Sequence, residues 1–197
     1  MSSANRDSTS LSLLQRVKAR DSQAWQRLVD LYGPVIYHWC RRAGLTAADA
    51  QDVAQEVFSA VFVNLSDFRR SRPDDSFRGW LWTVARSKIG DHFRSRRGRA
   101  QARGGTDAHQ HLEQLPALPQ TPPTPLSETD ELLSRRVYEL LRPQFEDRTW
   151  RAFWRLTVDR QSGPDVAGEL GLSVQAAYRA KSRVLRRIRE EFGEILR

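Results

Sequence analysis

The chain has 197 residues, 39% hydrophobic and 28% charged, a balance that supports packed cores and excludes a wholly disordered protein. Its 32 lysines and arginines against 24 acids leave a formal net charge of +8 and a pI near 10.5, which favours a polyanionic partner, nucleic acid or an acidic membrane surface. No apolar run approaches the roughly 20 residues that span a bilayer, the N-terminal MSSANRDSTS lacks an apolar signal core, and the only cysteine, Cys40, rules out an internal disulfide, so a reducing cytoplasm is the expected setting.

Apolar periodicity begins near Ser10. Leu11, Leu14, Val17, Trp25, Leu28, Val29 and Tyr32 recur at three- and four-residue steps, which predicts one or two amphipathic helices. Gly33-Pro34 interrupts the run; it resumes with Val35, Ile36, Trp39 and Cys40 and stops at Gly44. Thr46 is a good N-cap for a helix over about Ala47–Leu65. The apolar face of that helix is Ala50, Val53, Ala54, Val57, Ala60, Val61 and Phe62, and its polar face carries Asp49, Gln51, Asp52, Gln55 and Glu56. The polar turn SRPDDS follows, then a helix from about Phe77 to Arg94 or beyond. Residues 10–99 are therefore expected to form a four-helix unit. Residues 100–127 hold GG, PALP and TPPTP, a composition that cannot build a core and predicts a flexible linker. Residues 128–197 are periodic again. Strand signals are scarce throughout. The expected fold class is all-α, with two small helical domains joined by a flexible linker.

Three constellations carry functional information. The first is Asp165-Val-Ala-Gly-Glu-Leu-Gly171, a short helix closed by glycine, followed by a Leu172-Ser173 turn and a longer helix from Val174 to about Glu191. This is the helix-turn-helix pattern. Ala167 is small where two helices must cross, and Gly171 can adopt the positive φ of the turn. Val166, Leu170, Leu172, Ala177, Val184 and Ile188 supply the apolar seam. The opposite face of the second helix carries Gln175, Tyr178, Arg179, Ser182, Arg183 and Arg186, side chains suited to base edges and phosphates in a major groove. An ordinary helical hairpin with a solvated basic face is the plainer alternative.

The second constellation runs from Trp80 to Arg97. Aromatics come first, and Arg86, Lys88, Arg94, Arg96 and Arg97 follow at helical spacing, as a phosphate track beside rings that suit unstacked bases. Trp80, Val84 and Ile89 taken singly are better explained as core than as base platforms. The third is Asp49-Ala-Gln-Asp-Val-Ala-Gln-Glu-Val-Phe58, half acidic and half apolar. It is either a solvated surface helix or a partner site. His38, His92, His109 and His111 have no spacing that forms a metal site with Cys40, and no phosphate-cradling glycine loop or nucleophile motif occurs, so neither an enzyme nor a cofactor is expected.

In this order the three elements resemble the sigma factors of RNA polymerase, in particular the extracytoplasmic-function (ECF) class, from about Leu11 to Leu196. DAQDVAQEVF looks like the family's polymerase-binding helix, FRGWLWTVARSKIGDHFR like the segment that opens and reads the minus-ten element, and DVAGELGLSVQAAYRAKSRVLRRIREE like the helix-turn-helix that reads the minus-thirty-five element. The resemblance implies a sigma domain two over 10–99, a linker over 100–127 and a sigma domain four over 128–197. It implies that Asp49, Asp52, Gln55 and Glu56 meet the polymerase. The loop from Ser66 to Ser76 would hold a flipped base of the non-template strand. Phe77, Trp80, Arg86, Lys88, Asp91, His92, Arg94, Arg96 and Arg97 would serve the minus-ten region. Ser173, Gln175, Ala176, Tyr178, Arg179, Ser182, Arg183 and Arg186 would serve the minus-thirty-five groove.

The chain departs from the family in reading Ala85-Arg86-Ser87 where ARN is frequent, and in placing Ala177 where a β-branched residue is common, so base preference does not transfer. The implied partners are core RNA polymerase and promoter DNA, duplex and melted, with an anti-sigma factor a common further partner in the family. The implied function is to direct core polymerase to promoters and help open the minus-ten region. The rival is a stand-alone helix-turn-helix repressor or activator, which occupies duplex DNA without polymerase.

Overall fold

The computed structural model describes residues 12–69, 76–102 and 128–196, and every regular element among them is helical. The expected linker beyond Ala102 and most of the 66–76 loop lie outside the described residues.

Helix α1 (Leu13–Lys18) opens with a capping box, in which the Ser12 hydroxyl accepts from the Gln15 N–H and the Gln15 side chain accepts from the Ser12 N–H. It ends where Arg20 takes a φ of 63°. Asp21 then caps α2 (Ser22–Arg42), its carboxylate accepting from the Gln23 and Ala24 N–H groups and pairing with Arg16 at 2.7 Å. The break between the first two helices thus falls at Ala19–Asp21, not at Gly33-Pro34 as the sequence pattern suggested. α2 runs straight through Pro34. Proline has no N–H to donate to the carbonyl four residues back, here that of Asp30. A distant side chain fills the gap: Arg136 Nε donates to the Asp30 carbonyl at 3.0 Å.

Thr46 caps α3 (Ala47–Asn64) as anticipated, and a 3-10 turn, Leu65–Asp67, follows. α4 spans Phe77–Ala102. In the C-terminal part, α5 (Glu128–Leu141) and a 3-10 turn at Arg142–Gln144 precede α6 (Asp147–Thr157). α7 (Gly163–Leu170) and α8 (Val174–Phe192) are joined at Gly171, whose φ of 58° realises the left-handed turn that glycine permits.

Two apolar clusters hold the molecule. A small one packs Val166 and Leu170 of α7 against Ala177 and Ala180 of α8 and Leu156 of α6. The larger one is continuous from the N-terminal to the C-terminal helices. It takes Leu28, Leu31, Tyr32, Val35, Trp39 and Cys40 from α2, Val53 and Val57 from α3, and Phe77, Leu81, Trp82 and Ile89 from α4. It also takes Leu133, Val137 and Leu141 from α5, with Phe192 and Ile195 from the C-terminal end. α2 is its centre, packing against α3 on one side and α5 on another.

Polar contacts seal this second seam. The Tyr32 hydroxyl, fully buried, donates to the Ile195 carbonyl at 3.0 Å, and the Ser12 hydroxyl donates to Glu194 at 2.5 Å. Glu191, 4% exposed, lies between Arg27 at 2.6 Å and Arg187 at 3.1 Å. Arg78 pairs with Asp130.

Candidate nucleic-acid interface

On α4 the sequence-expected residues separate into two layers. Phe77 is 0% exposed, edge-on to Tyr32 and Phe68 with centroids 5.4 and 5.5 Å away. That corrects its expected role as a DNA contact: as the first residue of α4 it falls on the face turned to α2, where burial of a ring outweighs exposure. Trp80 is half-buried, tilted against Phe68 at 5.4 Å and Phe77 at 5.6 Å. It therefore anchors the start of α4 and keeps one flank at the surface. Arg86, Lys88, Asp91 and His92 are part-buried, and Arg94 and Arg96 are exposed. Arg94 pairs with Asp91 one turn back. The Arg97 side chain lies outside the described residues.

Asp49 is also placed differently from its expected role. It sits in the first turn of α3, where the Thr46 hydroxyl donates to it at 2.8 Å, and it faces His92 at 3.8 Å and Arg96 at 3.7 Å across to α4. The Thr46 hydrogen bond, with the charges of His92 and Arg96 behind it, holds the Asp49 carboxyl below the usual carboxylate range. Asp49 therefore ties α3 to α4, because a carboxylate so supplied with donors gains more from them than from bulk water. Asp52, Gln55 and Glu56 are exposed on the outer face of α3. The same face ends in an apolar step, Phe62 and Val63, 47% and 68% exposed, with the Arg20 guanidinium over the Phe62 ring at 4.6 Å.

On the second surface, Gln175, Tyr178, Arg179, Ser182, Arg183 and Arg186 are all exposed along one side of α8, and Ala177, Ala180 and Val184 are buried on the other. The helical repeat produces this division directly. Ser173 is the N-cap, its hydroxyl accepting from the Ala176 N–H at 3.1 Å, so its side chain orients the helix start. Ala176 is part-buried. Tyr178 is half exposed, yet its ring lies so close over Gly163 that a Cβ there would meet it at 2.7 Å. The ring thus packs its hydroxyl end on the N-terminus of α7, and about half of the residue stays exposed.

Sequence reasoning missed the residues that fix these surfaces from a distance. Arg136, Arg27 and Glu191 do so at the seam between α2 and the C-terminal helices, and Arg148 and Arg155 on α6 reach to α7. No local pattern marks them, since the partner lies 14 residues away for Arg155 (169 − 155), 22 for Arg148, 106 for Arg136 and 164 for Arg27 and Glu191 (191 − 27). Among the described residues no group of three or more histidine, cysteine, aspartate or glutamate side chains gathers to hold a metal, and no helix is long and apolar enough to cross a membrane.

With the geometry in place, comparison with known proteins adds what the chain is similar to. Residues 28–99, which take in most of α2, all of α3 and nearly all of α4, match the Sigma-70 region 2 domain. The chain is 32% identical over 84 residues to the ECF RNA polymerase sigma factor SigW of Bacillus subtilis, covering 43% of each chain. It is 31% identical over 95 residues to the ECF sigma factor BldN of Streptomyces coelicolor, covering 48% of this chain and 35% of that one. It is 27% identical over 164 residues to the RNA polymerase sigma factor CnrH of Cupriavidus metallidurans, covering 83% and 84%. The matched part therefore spans less than half the length of SigW and BldN. Residues 28–99 thus carry the likeness to a sigma-70 region 2 domain, and the chain is similar to ECF RNA polymerase sigma factors.

Proposed function

We propose that this protein directs core RNA polymerase to promoters and helps open the minus-ten region. Residues 10–99 act as sigma domain two and residues 128–197 as sigma domain four, with 100–127 as the tether. The outer face of α3, through Asp52, Gln55 and Glu56, grips the polymerase. The outer side of α4, through Trp80, Arg86, Lys88, Arg94 and Arg96, follows the minus-ten strand. The exposed side of α8, through Gln175, Tyr178, Arg179, Ser182, Arg183 and Arg186, enters the minus-thirty-five major groove. Asp49, Asp91, His92 and Ser173 hold these surfaces in shape.

The observation that carries the reading is the presence on one chain of an exposed acidic face on α3 inside the region 2 match and a separate exposed cationic face on α8, with Arg94 and Arg96 exposed toward the end of α4. A lone duplex-binding regulator has no use for the acidic face. No bond need be made or broken by the protein. Binding supplies the work: capture of an unstacked base offsets a few kcal/mol of unpairing, and counterion release makes the whole steeply dependent on salt. An anti-sigma factor is a further partner consistent with the family.

The test is multi-template transcription with purified core polymerase, with and without the chain. New promoter-specific transcripts are expected only with it. Replacing Asp52, Gln55 and Glu56 together by alanine should abolish copurification with core polymerase while leaving the helical content unchanged. Equal transcripts with and without the protein, or full copurification of the triple variant, overturns the reading.

A further inference from the structure

Every α-helix leaves its last carbonyls without intrahelical partners. In α7 those carbonyls lie at the turn that sets how α8 projects. The turn itself answers some of them: the Leu172 N–H donates to the Ala167 carbonyl at 2.8 Å and the Gly171 N–H to Gly168 at 3.3 Å. The carbonyls of Leu170 and Gly171, beyond these, point out of the hairpin. Both are taken by one side chain from a different helix. Arg148, in the first turn of α6, donates from Nε to the Leu170 carbonyl at 2.9 Å, from a terminal nitrogen to the same carbonyl at 2.6 Å, and from that nitrogen to Gly171. The planar fork of a guanidinium suits two neighbouring carbonyls; the rotatable ammonium of lysine does so less well. Space is close as well: a Cβ at Gly171 would stand 3.1 Å from Arg148.

A second strap runs parallel to the first. Arg155, two turns further along α6, pairs with Glu169 on α7. Leu156 of α6 packs into the small cluster beneath, and its carbonyl accepts from Lys181 of α8 at 3.4 Å. The hairpin thus stands on α6 through a cationic fork at its turn, an ion pair on its flank and an apolar floor.

We infer that Arg148 is a positioning residue for DNA reading: it clamps the α7–α8 turn and so sets the angle at which Gln175, Arg179 and Arg183 are presented, without itself neutralising a phosphate. The inference rests on the proposed role of α8 in duplex recognition. Its charge is committed to two carbonyls, so its loss should degrade base selection while leaving general attraction to the polyanion in place.

Two measurements on the full chain test this. The first needs no DNA. Arg148→Ala should raise amide hydrogen exchange at Gly171 and Leu172 by about tenfold or more, the effect of removing a charged hydrogen-bond donor, with exchange in α2 unchanged. Arg148→Lys should recover part of that protection. Unchanged exchange at the turn overturns the clamp, and equal acceleration throughout the chain overturns a local role.

The second compares a labelled duplex, enriched from a random pool by core RNA polymerase carrying the wild-type chain, with a scrambled duplex of the same length, both bound by that complex. Arg148→Ala should lose about tenfold on the enriched duplex and nothing on the scrambled one, with an unchanged salt slope, and Arg148→Lys should recover part of the loss. Equal loss on both duplexes, with the slope reduced by about 0.9, makes Arg148 a phosphate contact instead. If core polymerase carrying the wild-type chain enriches no sequence, the role of α8 in DNA reading fails, and the positioning inference fails with it, while the clamp stands or falls on the exchange data alone.

Discussion

Cys40 illustrates how much a position in the fold changes a residue's chemistry. It is 0% exposed in the last turn of α2, and burial pushes its thiol up to about 12, because an apolar surround disfavours the thiolate. The thiolate is the reactive form, so the native chain should resist a thiol-reactive dye at pH 8 and label fully in denaturant. Fast labelling of the native chain, followed by mass spectrometry, would show that α2 is not packed in this way. Phe77 makes the same point in reverse. Sequence places it at the start of a cationic helix, beside residues that do face outward. Its ring is nonetheless spent on the core, against Tyr32 and Phe68.

At the scale of an element, α2 is the instructive case. A proline in the interior of a helix usually kinks or ends it, at a cost of roughly 3 kcal/mol. Here Arg136 of α5 donates to the carbonyl that Pro34 leaves without a partner. A cation thus stands in for the missing amide, and α5 is drawn against α2. Arg136→Ala should destabilise the chain by about 1–2 kcal/mol, the worth of a hydrogen bond to a charged donor that is itself partly in water. In a Pro34→Ala background the amide is restored, and the same change should cost clearly less. A double-mutant cycle by urea denaturation reads the coupling. Equal cost in both backgrounds would mean that Arg136 acts through Glu139, its other partner at 2.5 Å, and not through Asp30.

For the molecule as a whole, the seam between α2 and the C-terminal helices is the main structural decision. Glu191 is buried there with Arg27 and Arg187, whose side chains keep about a quarter of their surface. These are ionic contacts rather than directed hydrogen bonds, for neither carboxylate oxygen has an aligned donor. Removing one member of such a cluster leaves a charge without its counterion in a partly dry site. Glu191→Ala should therefore lower stability by about 3 kcal/mol, the low end for a buried pair because both arginines still reach water. It should also widen the separation between dyes placed on α3 and α6, measured by energy transfer. A variant with wild-type stability and wild-type transfer would show that the apolar part of the seam suffices without the charges.

This arrangement also bears on the proposed activity. Two promoter elements can be read at once only if the α4 and α8 faces reach them together, and in the present structure both are held by one continuous core. Their reach is then a property of the seam as well as of the tether.

The sequence by itself determined the helices with strong local signals. Thr46 caps α3, Gly171 turns the hairpin, and the alternation of apolar and cationic side chains on α8 follows from its period of 3.6. These are effects between residues within a turn or two of each other, and so are written locally. The tertiary structure alone decided the rest: that α2 passes through Pro34, that Phe77 and Asp49 serve the packing of α4, that Arg148 holds the α7–α8 turn, and that Glu191 closes a seam to Arg27. Each depends on a partner far along the chain, and no periodicity records which distant carbonyl or carboxylate a cation will meet until burial has brought the two together.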